Sequence, residues 1–144
     1  MKIFVDTSII LAFLAGEDPR ARDVIEAVEN GTFIGYANPV VIDEVIHGYL
    51  RLATGLSSRR IRQLLARRDE RLLKLLRNDV QPVLELFIVL PLAISVNEVL
   101  EIIETYGLMP SDALIVASCR HYGIDTIATF DEDFKRVPWL RVVP

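Results

Sequence analysis

Two kinds of apolar pattern alternate along this chain: short continuous runs, and longer stretches with apolar positions three and four apart. The first kind predicts buried strands and the second amphipathic helices. Residues 2–5, Lys-Ile-Phe-Val, stop at Asp6-Thr7-Ser8 and predict a strand followed by a turn. Ser8 or Thr7 can cap a helix over 9–15 that ends at Gly16. Pro19 suits the first turn of a second helix reaching Asn30, and Asn30-Gly31 stops it. Residues 32–37 predict a second strand, weakened by Gly35. Asn38-Pro39 opens a helix to about Leu52, with Val41, Ile42, Val45, Ile46 and Tyr49 at helical spacing.

Beyond a loop at Gly55, Ser57 or Ser58 caps one long helix over 58–78. Ile61, Leu64, Leu65, Leu72, Leu73 and Leu76 form its apolar stripe. Residues 84–90 predict a third strand. Ser95 with Glu98 forms a capping box for a helix ending near Tyr106-Gly107. Pro110-Ser111 opens a helix over 112–122, closed by Gly123. Residues 126–130 are a fourth strand, and 140–143 a fifth on an edge, since Pro138 and Pro144 bracket it. Apolar strands alternating with helices imply parallel pairing through right-handed crossovers. The expected fold is α/β: a three-layer α/β/α sandwich around a parallel sheet of four to five strands. No internal repeat, low-complexity tract or linker divides residues 1–144, which read as one domain.

Charge changes this picture. The net charge is −4, but residues 51–80 carry nine basic against three acidic side chains, a local +6. The remainder holds seven basic and seventeen acidic residues, −10. An acidic body therefore carries one basic element. A single cysteine, Cys119, excludes an internal disulfide. The start, MKIFVDTS, lacks a secretory signal pattern. The longest apolar run, 86–94, is too short for a membrane span and contains Pro91. The reading is a soluble, cytoplasmic protein without a membrane segment.

In open α/β sheets, ligands bind beyond the carboxyl ends of the strands. Asp6 follows the first strand, and Asp131, with Glu132 and Asp133, follows the fourth. Asp112 lies at a helix start, and Glu44 shares a stripe with Val41 and Gly48 on its helix. Each alone has a structural reading as a cap, a solvated helix acid or a polar turn. Together they would be demanding: two unit charges ~4 Å apart in a partly screened site repel by roughly 4 kcal/mol. Protons or cations must neutralise such a group. Oxygen ligands without a His or Cys cluster select Mg²⁺ or Mn²⁺. His47 reads as a surface or edge residue, and Cys119 and His121 as core and helix-end residues.

These residues in order resemble the PIN domain family. The matching stretches are Met-Lys-Ile-Phe-Val-Asp6-Thr7-Ser8, Glu44-Val45 with Gly48, Pro110-Ser111-Asp112-Ala113-Leu114-Ile115-Val116-Ala117, and Ala128-Thr129-Phe130-Asp131-Glu132-Asp133-Phe134. They look like toxin ribonucleases of VapC type and their archaeal relatives. The resemblance implies a metal-dependent endoribonuclease leaving 5′-phosphate and 3′-hydroxyl ends. It implies an acidic quartet of Asp6, Glu44, Asp112 and Asp131 around Mg²⁺ (or Mn²⁺), with Asp133 as an extra acid some members carry. Asp6 and Asp112 are expected to touch metal directly. Ser8, Thr7 and Thr129 match hydroxyl residues that orient a carboxylate or water. Implied partners are RNA, a small antitoxin and a second copy in a homodimer.

The long basic helix departs from the compact toxins. Arg59, Arg60, Arg67, Arg68 and Arg71 are candidate RNA or partner contacts, with Arg120, Lys135 and Arg136 as minor ones. Two readings keep the fold and change the role: a catalytically silent interaction module, or a housekeeping RNA-processing nuclease. A phosphoacceptor domain needs a tight acid pair at the first strand, where this chain has only Asp6. A dinucleotide site lacks its G-x-G-x-x-G.

Overall fold

Ile3, Phe4 and Val5 are fully buried, as a strand covered on both faces requires. The computed structural model describes residues 1–144 and places this strand, β1 (Lys2–Val5), at the centre of the molecule. The others are β2 (Ile34–Ala37), β3 (Ile88–Val89), β4 (Thr126–Ala128) and β5 (Arg141–Val143). They form one sheet in the order β3-β2-β1-β4-β5, every neighbouring pair parallel. The chain builds outward from β1 to β3, then crosses back to lay β4 on the other side of β1. The carboxyl ends of β1 and β4 therefore flank a topological switch point, where such sheets leave a crevice.

Helices α1 (Thr7–Ala15), α2 (Pro19–Glu29), α3 (Pro39–Thr54), α7 (Val96–Tyr106) and α8 (Pro110–His121) complete a three-layer α/β/α sandwich. Between them lie α4 (Ser58–Ala66), α5 (Glu70–Leu75) and α6 (Gln81–Leu84). α1 packs against α2 and α3, and α7 against α8. Gly35 does not weaken β2 as its propensity suggests; it clears space. A Cβ there would lie 2.8 Å from both Phe87 Cδ1 and Val28 Cγ1.

The expected continuous helix over 58–78 is broken. Arg68 takes φ 54°, and the Asp69 side chain accepts from Leu72 N–H at 3.1 Å, capping a new helix. An Asp-Glu start signal inside an Arg-rich run outweighs the leucine periodicity. A π-helical turn, Leu76–Val80, then leads into α6. Leu64 and Leu72 join Leu50 and Ile61 in a small second core, while Leu65 and Leu73 stay exposed. The strand expected over 84–90 shrinks to β3, because Pro82 supports a helical turn just before it. The runs 32–37 and 126–130 shorten to β2 and β4. Neither Ser8 nor Thr7 caps α1; both lie inside it, and the cap position belongs to Asp6. The capping box at Ser95 is half formed. Ser95 accepts from Glu98 N–H, but the Glu98 carboxylate turns to Arg120 and His121.

Asn38 joins the layers. It is fully buried at the carboxyl end of β2, caps α3 by accepting from Val41 N–H (3.2 Å), and donates to Ser118 Oγ on α8 (3.0 Å). Asn38→Ala removes a cap and strands a buried hydroxyl, so urea unfolding should show a loss of about 2 kcal/mol. Ser118→Ala should lose less, since the cap survives; equal stability of Asn38→Ala and wild type would refute this account.

Candidate active site

β1 and β4 pair in register, Val5 opposite Ala128, and Asp6 N–H continues the ladder by donating to Ala128 O at 2.9 Å. That register sets Asp6 beside Thr129. Thr129 Oγ1 donates to Asp6 Oδ2 at 2.8 Å and Ser8 Oγ donates to the same oxygen at 3.0 Å. The hydroxyls are themselves held: Phe130 N–H donates to Ser8 Oγ (3.0 Å) and Asp131 N–H to Thr129 Oγ1 (2.9 Å). One further link, Asp133 N–H to Asp131 Oδ1 at 2.9 Å, runs the network from Asp6 to Asp133. Asp6 is only 7 % exposed, and burial raises its pKa against the lowering effect of these hydrogen bonds.

Glu44 comes in from α3. Gly48, one turn further along the same stripe, lets α3 approach α1 closely: a Cβ there would lie 2.8 Å from Leu11 Cδ1. Burial first, then the charges of Asp6 and Asp43, raises the Glu44 pKa, with Thr7 opposing. The Thr7 hydroxyl is buried without a full hydrogen bond, near enough to Glu44 to favour its charged form.

Pro110 at the start of α8 sets Asp112 in its first turn, facing the loop after β4. Carboxylate oxygens of Asp112, Asp131 and Asp133 all lie within 4.8 Å of one another. Asp112 is pushed up to about 6 by burial, then by Asp131, Asp6, Glu44 and Asp133 in that order. Four other acids thus bear on the Asp112 carboxyl. The tight trio includes Asp133, expected only as an extra acid, and leaves Asp6 and Glu44 beside it.

A hard divalent cation fits this donor set. The ligand atoms are all oxygen, and 4.8 Å is only slightly wider than the ~4.2 Å across a Mg²⁺ octahedron, a gap side-chain rotation closes. Neither histidine joins them: His47 pairs with Ser58, and His121 with Glu98. Cys119 is buried, its thiol pushed up to about 12.

The basic residues lie elsewhere. Arg59, Arg60, Arg67, Arg68 and Arg71 are exposed around the small core at Leu50, on the carboxyl-terminal half of α3, and form no ion pair. Arg120 pairs with Glu98 and Lys135 with Glu132. Arg136 clamps the site from outside, donating to Asp133 Oδ1 (2.7 Å) and to Gly107 O (2.9 Å). Its i,i+3 spacing to Asp133 made that pair readable in the chain. Sequence reasoning missed Arg20, whose guanidinium sits 4.8 Å from the Phe130 ring centre; no local signal joins residues so far apart. The largest cleft, about 650 Å³, contains none of the acids. It is apolar, lined by Ile42, Ile46, Leu76, Leu84 and Phe87, on the flank of α3 turned away from Glu44.

Fold and site together define a parallel α/β/α domain with an oxygen-lined acidic pocket at its switch point. The chain belongs to the PIN domain family, whose model matches residues 3–140. Ribonuclease VapC2 of Methanocaldococcus jannaschii is 38% identical over 99% of this chain and 93% of its own length. Among solved structures, VapBC2 from Rickettsia felis bound to a promoter DNA fragment superposes with TM-score 0.66 at 17% identity, covering 99% of this chain and 98% of that one. A toxin–antitoxin complex from Klebsiella pneumoniae gives 0.61 at 18%, covering 99% and 96%. At those identities the two structures speak for the fold. No helix is long and apolar enough to cross a membrane.

The raised acids make metal-free stability pH-dependent. The Asp112 pKa in the folded chain, about 6, lies above its ordinary value of 3.8, so folding favours the protonated form. That contribution is whole below about pH 4 and is lost as pH rises through about 6. After discounting for partial exposure it is on the order of 1–2 kcal/mol. Thermal unfolding in EDTA should show wild type losing stability from pH 4 to 7, and Asp112→Asn losing less. A wild-type curve parallel to that of Asp112→Asn would contradict the assigned repulsion.

Proposed function

We propose that this protein is a Mg²⁺-dependent (or Mn²⁺-dependent) endoribonuclease, the toxin partner of a VapBC-type pair. One observation carries the reading: Asp112, Asp131 and Asp133 bring carboxylate oxygens within 4.8 Å of one another where β1 and β4 end, with Asp6 and Glu44 close enough that burial and then the four other acids raise Asp112 to about 6. The kinship with a ribonuclease VapC2 supports RNA as the substrate class. When bound, the cation supplies Lewis acidity and positive charge at a phosphodiester, the chemistry that hydrolysis of an anion requires.

The chain's own part is to position and to hold protons. Asp112, Asp131 and Asp133 present the closest oxygens, with Asp6 and Glu44 completing the ring of acids. Ser8 and Thr129 fix the Asp6 carboxylate by bonding one of its oxygens. Thr7 leans toward Glu44. The histidines and Cys119 lie outside the acidic cluster, so no protein nucleophile or imidazole base is assigned, and water is the attacking group. Products carry 5′-phosphate and 3′-hydroxyl ends.

The solved toxin–antitoxin assemblies support a small antitoxin as partner. The apolar cleft beside exposed Ile88 and Val89 supports a homodimer contact. The five unpaired arginines lie outside the acidic pocket, so they draw in an anionic strand by steering and not by contact with the reacting phosphate.

Asp6→Asn and Asp112→Asn should each cut cleavage of single-stranded RNA about 100-fold or more while keeping the fold, and EDTA should match them. Wild-type rates in Asp6→Asn with Mg²⁺ would overturn the assignment; a wild type inactive in Mg²⁺ and Mn²⁺ would favour the silent module. Reversing Arg67, Arg68 and Arg71 to Glu should weaken RNA binding and flatten its salt dependence. An unchanged salt slope removes that lobe from the RNA path.

A further inference from the structure

An acidic pocket repels the phosphates on either side of the one it cleaves, so a cation at its rim has work that the distant arginines cannot do. Three cations lie near the loop after β4. Lys135 makes one contact, to the exposed Glu132 at 2.6 Å, and no aromatic ring orients it. Arg136 spends both terminal nitrogens, one on Asp133 and one on Gly107 O. Arg20 is different. Its Nε and Nη2 fork onto the Asp18 carboxylate at 3.1 and 2.7 Å, while Nη1 makes no hydrogen bond in the chain. The side chain is 61% exposed.

The guanidinium lies over the Phe130 ring, 4.8 Å from its centre. Phe130 is no ordinary surface aromatic. Its backbone N–H is held by Ser8 Oγ, the hydroxyl that also bonds Asp6. Its chain neighbours are Thr129, bonded to Asp6, and Asp131, a member of the acidic trio. With consecutive Cα atoms ~3.8 Å apart, the backbone of Phe130 runs along the rim of the pocket, while its half-buried ring packs against the main core and carries Arg20 on its face. A cation in the first turn of a helix also sits at the unfavourable end of the helix dipole. Asp18 is the cap of α2 and accepts from Arg20 N–H at 2.9 Å, so the fork braces that cap, but the cap does not require the guanidinium to lie over Phe130.

The geometry points to Arg20, stacked on Phe130 and oriented by Asp18, as a binding contact for a phosphodiester oxygen of single-stranded RNA next to the bond that is cut. This rests on the ribonuclease reading above. The aromatic face and the Asp18 fork hold the guanidinium flat, which leaves the Nη1 edge to meet a phosphate. Asp18 is a positioning residue; Arg20 touches the strand. Lysine cannot replace it, since an ammonium neither forks onto Asp18 nor stacks in a plane.

The test compares cleavage of a single-stranded RNA by wild type, Arg20→Gln, Arg20→Lys and Phe130→Leu, with salt titrations and thermal unfolding of each. Arg20→Gln should raise KM roughly tenfold with kcat within about twofold, and make the log–log salt slope shallower by about 0.7, one single-strand phosphate contact. Arg20→Lys should recover only part of the KM. Adding Phe130→Leu to Arg20→Gln should raise KM no further, as expected if the two act as one unit. Should Phe130→Leu unfold, the Arg20 series decides alone. Unchanged KM and salt slope in Arg20→Gln, with active wild type, overturns this contact and leaves the ribonuclease reading intact. So does a loss confined to kcat or to melting temperature. A wild type that neither cuts nor binds RNA overturns both.

Discussion

Burial, and then the negative charges of Asp131, Asp6, Glu44 and Asp133, disfavour a charged Asp112, and the sheet holds these acids together against that repulsion. The force is met by geometry. Asp6 sits on the central strand, pinned by a ladder bond to β4 and by two hydroxyls on one oxygen. Glu44 and Asp112 ride on helices whose inner faces are fully buried, at Val41 and Val45 on α3 and at Ala113, Ile115 and Val116 on α8. The burial of those side chains, ~1.5–3 kcal/mol for each large one, outweighs what the acids lose by crowding. An acidic pocket on a rigid sheet edge is therefore a stored demand for positive charge. A divalent cation would supply two positive charges at one point, where a proton supplies one.

Hydroxyl groups do more here than cap helices. Ser8 and Thr129 come from elements far apart in the chain, yet share Asp6 Oδ2 and lie 3.3 Å from each other. Each also accepts from a backbone N–H of the loop after β4. That loop is consequently shaped by the same atoms that hold the first acid. Its two remaining acids and its one aromatic ring inherit their positions from it. Arg136 closes the arrangement from the far side, tying Asp133 to the turn that precedes α8.

Charge is partitioned between two bodies. The acidic body surrounds the sheet ends. The basic lobe is a separate small core of Leu50, Ile61, Leu64 and Leu72, built on the far half of α3. Like-charged neighbours such as Arg59 and Arg62 would disfavour a long isolated helix. The chain resolves this by breaking at Arg68 and recapping at Asp69, so that two short helices share one apolar contact. The apolar cleft between α3 and the α5–α6 region lies off to the side of both charge zones. The acidic pocket, the basic lobe and the apolar cleft are thus three separate surfaces.

Short-range patterning determined much of this protein. Apolar runs bounded by Asp6, Asn38 and Gly123 marked elements correctly, because burial on both faces of a parallel sheet demands uninterrupted apolar residues. Asp6 and Asp131 stood out in the chain as acids after strand ends, but each also had a structural reading, and the grouping with Glu44 and Asp112 came from the resemblance to the PIN family. Where the pattern misled, as over 58–78 and 84–90, a cap or a proline opposed the hydrophobic period, and local chemistry won. Only the tertiary structure decided which acids stand closest. It put Asp133 in the trio, turned Ser8 and Thr129 onto one oxygen, and brought Arg20 over Phe130. The last two join residues more than a hundred positions apart. They depend on strand order and register, which set distances of a few ångströms that no one-dimensional spacing encodes.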